Sequence, residues 1–147
     1  MAETLAADFH WRCRHTWRAS ARNTLWCLVG CAIGDFGTIG AFQIFAPQTN
    51  PLLVMALAMV NGILTSIALE TVILSRSMAL GAALRTALGM SLISMLAMEL
   101  AMNATDYLLT GGARITWWVI APALLAGFLA AWPYNYWRLK RYGVACH

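Results

Sequence analysis

Charge is scarce in this sequence: Asp, Glu, Lys and Arg together make up 11% of its 147 residues, where a soluble domain carries roughly 25%. With hydrophobic residues at 61%, too little polar surface remains to coat a water-soluble globule. Histidine is nearly missing as well. His10, His15 and His147 all lie outside the apolar segments, so no imidazole is available to hold haem or chlorophyll inside a bilayer. The sequence has no Ser/His/Asp arrangement, phosphate loop, HExxH or paired CxxC, and its polar segments are too short for a water-exposed catalytic pocket. An enzyme is therefore not expected. The first residues, Met1 to Asp8, contain Glu3 and Asp8 but no basic stretch, so a cleaved signal peptide is not expected. The absence of any internal repeat leaves an inverted-repeat transporter unsupported.

What is present is a set of long apolar runs. They predict spans at roughly Thr24–Ala46, Pro51–Ser75, Ala83–Leu109 and Ile115–Trp137, each sufficient to cross about 30 Å of hydrocarbon at roughly 1.5 Å per residue. The connections Pro47–Asn50, Arg76–Ala82 and Thr110–Arg114 are short, which forces neighbours to run antiparallel. The expected fold is an all-α integral membrane domain covering residues 1–147, an up-down bundle of four transmembrane helices. In residues 1–23, Leu5, Phe9, Cys13 and Trp17 recur every four residues while Arg14, Arg18 and Arg22 form an opposing stripe. That pattern predicts a short amphipathic helix on the membrane surface, or a cytoplasmic extension of the first span.

The basic residues give the orientation. Nine of the ten Lys and Arg flank the first span, the second connection or residues 138–147, and only Arg114 falls on the other side. By the positive-inside rule both termini are expected in the cytoplasm, in the inner membrane of a bacterium. The formal charge of +4 then reflects the lipid bilayer as partner rather than nucleic acid. Trp117 and Trp118 at one end, and Trp132, Tyr134, Tyr136 and Trp137 at the other, suit interfacial aromatic belts. Pro133 is expected to break the helical hydrogen-bond ladder and to place Asn135 close to the cytoplasmic interface, as the polar stop of an aromatic anchor or, in a second reading, facing the Cys27 end of the bundle.

The informative residues are polar ones inside the spans, since a charged group at the bilayer centre costs at least roughly 2.5–3.5 kcal/mol. Cys27, Cys31 and Asp35 are spaced i, i+4, i+8 on the first span, beside Gly30, Gly34, Gly37 and Gly40; small residues at that spacing let a neighbouring helix approach. On the third span Met95, Met98, Glu99, Met102, Asn103 and Asp106 project within about 140° of one another. On the second, Met55, Met59, Ser66 and Glu70 share a side. Soft thiolate and thioether donors favour monovalent copper, with carboxylates compensating charge. The expected metal ligands are Cys27, Cys31, Asp35, Glu70, Met98 and Glu99. Two other readings stay open: Asp35 and Glu99 as a proton relay, and carboxyls that are structural, hydrogen-bonded to Asn61 or Asn103.

The segment from Trp26 through Cys27, Gly30, Cys31 and Gly34 to Asp35 resembles the HCxxGCxxG(D/E) signature of the membrane family called domain of unknown function 4396. Met98-Glu99 is similar to that family's buried glutamate motif, and Pro133-Tyr134-Asn135-Tyr136-Trp137 followed by Arg141-Tyr142-Gly143 to its PxNxW…RxG ending. The resemblance runs from about Arg22 to Gly143 and implies a four-helix membrane protein that handles a metal. Trp26 stands where the family pattern has histidine, and the loss of that imidazole either weakens the case for a metal site here or shifts it towards a sulfur-only set. The expected function is binding or transport of a soft metal ion, copper above all. The alternative is a non-catalytic accessory subunit packed in a larger membrane complex or homo-oligomer.

Overall fold

Four apolar runs become four helices in the computed structural model, which describes residues 11–142. They are α1 (Arg14–Phe45), α2 (Pro51–Leu74), α3 (Leu80–Thr110) and α4 (Trp117–Tyr142), with no strand among the described residues. Local chemistry sets several ends. Asn50 caps α2 by accepting from the Leu52 N–H at 2.9 Å, with Pro51 at the first helical position, where its missing N–H costs nothing. Gly111 closes α3 at φ 76°, the left-handed conformation that a side chain resists.

Of the two readings of the N-terminal segment, the described residues take the extension of the first span: from Arg14 they form the first turns of α1, continuous to Phe45. No Gly or Pro interrupts Arg14 to Thr24, and the inner side of these turns is taken up by α4. Trp17 stacks on Tyr136 with ring centroids 4.0 Å apart, and the Trp132 indole N–H donates to Ser20 Oγ at 3.1 Å. Leu5 and Phe9 lie outside the described residues. The last helix also runs beyond the expected end at Trp137. α4 runs through both Pro122 and Pro133 to Tyr142, so residues 138–142 belong to the helix and not to a tail. A proline removes one backbone bond, and the packing around Tyr136 and Trp132 holds the turns that follow.

Side-chain pairings fix the helix directions. Going up α1, Cys27 meets Ser66 while Thr38 meets Asn61, so α2 runs opposite. Asp35 meets Asn103 while Cys31 meets Glu99, so α3 runs with α1. Thr24 meets Asn135 and Gln43 meets Ile115, so α4 runs against it. Each helix packs on the next, and α4 closes back on α1.

Arg14–Phe45, Pro51–Leu74 and Trp117–Arg141 are each long and apolar enough to cross a membrane. α3 bends by 53° between Leu80–Gly89 and Ser91–Thr110, and meets the same standard as a bent pair. The polarity is distributed inside out. Asp35, Ser66, Glu99, Asn103 and Asp106 are buried, while Phe45 is 84%, Leu108 82% and Trp117 93% exposed. Long apolar helices with such an exterior are compatible with a membrane protein.

Candidate functional site

The close approach of α1 and α2 creates the site. A Cβ on Gly30 would lie 2.6 Å from Ser66 Cα, and one on Gly34 would collide with Asn61 and Thr65; the contact exists because both are glycine. It lets the Thr65 hydroxyl donate to Gly30 O at 2.6 Å and Ser66 Oγ donate to Cys27 O at 3.0 Å. The i, i+4, i+8 ladder therefore faces inward as its spacing predicts. Cys27, Cys31 and Asp35 are 2%, 0% and 1% exposed.

The sulfur- and acid-bearing face of α3 comes in from the other side. Met95, Met98 and Met102 join Cys27, Leu28 and Cys31 in one buried cluster. Gly127 of α4 makes room for two of these thioethers: a Cβ there would lie 2.7 Å from Met102 Cγ and 3.1 Å from Met98 Cγ. Gly62 of α2 does the same for Glu99, whose carboxyl occupies the space that a Cβ would need.

The polar groups form a string. Cys31 lies close enough to Cys27 and to Glu99 to interact with both, and Ser66 Oγ lies 3.4 Å from the Cys27 sulfur. Glu99 is in turn in reach of Asp35. The Asn103 amide donates to Asp35 Oδ1 at 2.9 Å and lies 3.5 Å from Glu99 Oε2. Glu99 Oε1 and Asn103 Oδ1 are buried with no hydrogen-bond partner. The ionisable groups that act on Glu99 are Asp35, Cys31 and Cys27, none of them basic, so compensation of charge here has to come from protons or a bound cation.

The string is not a cage. Among the described residues no three His, Cys, Asp or Glu side chains converge to hold a metal ion. A tetrahedral site of the zinc type, which takes four such ligands, does not fit. A soft ion of low coordination number, held by thiols and thioethers, suits the donor set better.

Five of the six residues expected as ligands, Cys27, Cys31, Asp35, Met98 and Glu99, thus come together in one interior. Glu70 does not. It lies half-buried in a separate cavity with Ser91 and Arg138. Met55 and Met59 are half-buried and outside the sulfur cluster. Asp106, buried at the other end, accepts from the Arg114 N–H at 3.0 Å and holds the α3–α4 turn. Asn61 turns to Thr38 at 2.8 Å and Asn103 serves the acids. Asn135 reaches the Cys27 end, the second of its two readings, donating to Thr24 Oγ1 at 2.8 Å. Gly62 and Gly127 were missed; each is a glycine within an apolar helix, a signal of close approach that names no partner.

A family model, the domain of unknown function DUF4396, matches residues 16–143. The chain belongs to this family. The DUF4396 match takes in α1 from Thr16, the other three helices and every residue of the buried string, and the family description assigns no activity. Comparison with curated proteins and with solved structures found no match.

Proposed function

We propose that this DUF4396 protein crosses the bacterial inner membrane four times, with α3 as a bent span and both termini cytoplasmic, and that it binds a soft monovalent ion, copper(I), in its interior. Cys27 and Cys31 are the principal ligands, Met98 is a thioether donor, and Asp35 and Glu99 compensate charge. The membrane reading is supported by the apolar exterior and by the nine-to-one division of basic residues. The metal reading rests on one observation: two free thiols within reach of each other, sealed among three methionines, beside a carboxyl oxygen with no partner. Metal binding to a thiol releases its proton, and the nearby Glu99 carboxyl, which interacts with Cys31, is the group that takes it up. Such a site binds or passes an ion and performs no covalent chemistry.

The test is metal analysis of the protein purified in detergent and loaded with copper(I) against a competing chelator. Wild type should retain the ion stoichiometrically, Cys27→Ser and Cys31→Ser should lose it, and Asp35→Asn should weaken it. Copper retained equally by all four proteins, or by none, defeats the proposal. Metal-free wild type that co-purifies with a stable larger assembly points instead to the accessory role.

A proton relay is the second reading, and it is favoured by the string-like order Cys27, Cys31, Glu99, Asp35, with no three donors meeting at a point. In vesicles it predicts proton flux without added metal that Glu99→Gln abolishes; wild-type vesicles no leakier than empty ones would eliminate it.

A further inference from the structure

We propose that the cavity at the basic end of the helices binds a zwitterion, a ligand that carries a primary ammonium and an anionic group close together on an apolar body. This site lies apart from the sulfur cluster and does not depend on the metal reading.

The cavity has a volume of about 180 Å³ and draws on all four helices, with Asn23 and Trp26 from α1, Glu70 from α2, Ser91 from α3, and Asn135 and Arg138 from α4. Its two charged groups are of opposite sign and are held on separate partners. Arg138 Nη2 donates to Gly89 O at 3.0 Å, and the Glu70 carboxyl lies beside Ser91 in the cavity wall and interacts with it. The guanidinium has five N–H donors, and that bond uses one of them. Glu70 and Arg138 line the same cavity, so both groups address one space.

That pairing selects the ligand. A simple cation drawn to Glu70 meets Arg138, and a simple anion drawn to Arg138 meets Glu70. A neutral apolar ligand strips water from both charges and returns nothing. A zwitterion answers each: its ammonium donates to Glu70 and its anionic group accepts from Arg138. The aliphatic wall of Ile73, Leu74 and Leu139 then receives an apolar remainder. Trp26, half-exposed, is an amphipathic ring of the sort found at headgroup level. Two sources share this chemistry, an ethanolamine phospholipid and a soluble amino acid or phosphoethanolamine.

The experiment is native mass spectrometry of the detergent-purified full chain with short-chain lipids of ethanolamine, choline or glycerol headgroup, and with free phosphoethanolamine and leucine as competitors. The ethanolamine lipid should be retained over the other two, because choline has no N–H for Glu70 and the glycerol headgroup has no positive charge. Glu70→Gln and Arg138→Gln should each weaken it about tenfold or more, the loss of a hydrogen bond to a charged group. Competition by phosphoethanolamine or leucine at comparable concentration supports the zwitterion site with a soluble ligand, and failure to compete supports it with the lipid. Equal retention of all three lipids, or folded variants that bind as wild type does, overturns it. If either charge variant fails to fold, Thr86→Trp, which fills the cavity from a half-buried wall position and leaves both charges in place, carries the test. Binding undiminished in that variant overturns the site. Copper retention by Cys27 and Cys31 should be the same in all three variants, so the two proposals succeed or fail separately.

Discussion

The carboxyl of Glu99 on α3 sits where Gly62 on α2 lacks a side chain. An acid that would be untenable against lipid is thereby held between helices, with its neighbour Asp35 bridged to it through Asn103.

Gly62→Ala should therefore destabilise the protein, by about 1–3 kcal/mol, the usual range for overpacking a core. Glu99→Ala in the same chain should recover much of that loss, because it vacates the contested space. Thermal unfolding in detergent of the two single variants and the double one measures the coupling. Strictly additive effects would show that the two residues do not meet.

The glycines of α1 offer a comparison within one helix. Gly30→Ala puts a methyl against the Ser66 backbone, whereas Gly37 has nothing within 4 Å of a built Cβ. Gly30→Ala should loosen the α1–α2 contact and lower the unfolding temperature. Gly37→Ala should leave it unchanged or raise stability by up to about 1 kcal/mol, since Ala is the better helix former. Equal melting curves for the two variants would contradict the close approach.

Among the described residues Asn103 is the hydrogen-bond donor shared by both acids. Asn103→Leu removes it and should cost about 1–3 kcal/mol, the penalty for stranding buried polar groups. Adding Asp35→Leu should restore part of that loss, by taking away an acceptor left without its donor. Unfolding curves of the single and double variants decide it; an Asn103→Leu protein as stable as wild type would mean that the bridge is incidental.

Cys27 and Cys31 are sealed in the interior. In the folded protein both should react with a small membrane-permeant maleimide about a hundredfold or more slowly than an exposed thiol, as expected when reaction waits on opening of the structure, and at full rate after denaturation. Peptide mapping by mass spectrometry reads each site. Prompt labelling of the native protein would mean that the sulfurs line an open path.

Much of this arrangement is legible in the sequence, for a physical reason. The four-residue spacing of Cys27, Cys31 and Asp35 and the one-sided set from Met95 to Asp106 are consequences of the helical period, which assigns a face without any knowledge of neighbours. The beginning of α1 was ambiguous because an amphipathic stripe reads the same whether it lies on a membrane or on another helix. The contacts of Trp17 and Ser20 with α4 choose the second. The last helix outruns the apolar stretch that marked its span, because one backbone bond lost at Pro133 is less than the aromatic packing around it.

The sequence alone determined that the chain is helical and apolar outside, and on which face of each helix the acids and sulfurs lie, because backbone geometry sets those faces locally. Only the tertiary structure decided which faces meet. Glu70 shares a side with Ser66 but sits one turn further on, about 6 Å along the axis. With Gly30 locked against Ser66, that displacement carries Glu70 past the sulfur cluster to Ser91 and Arg138. Helix register is set by such contacts between distant residues, and a pattern read along one helix holds no information about its neighbour.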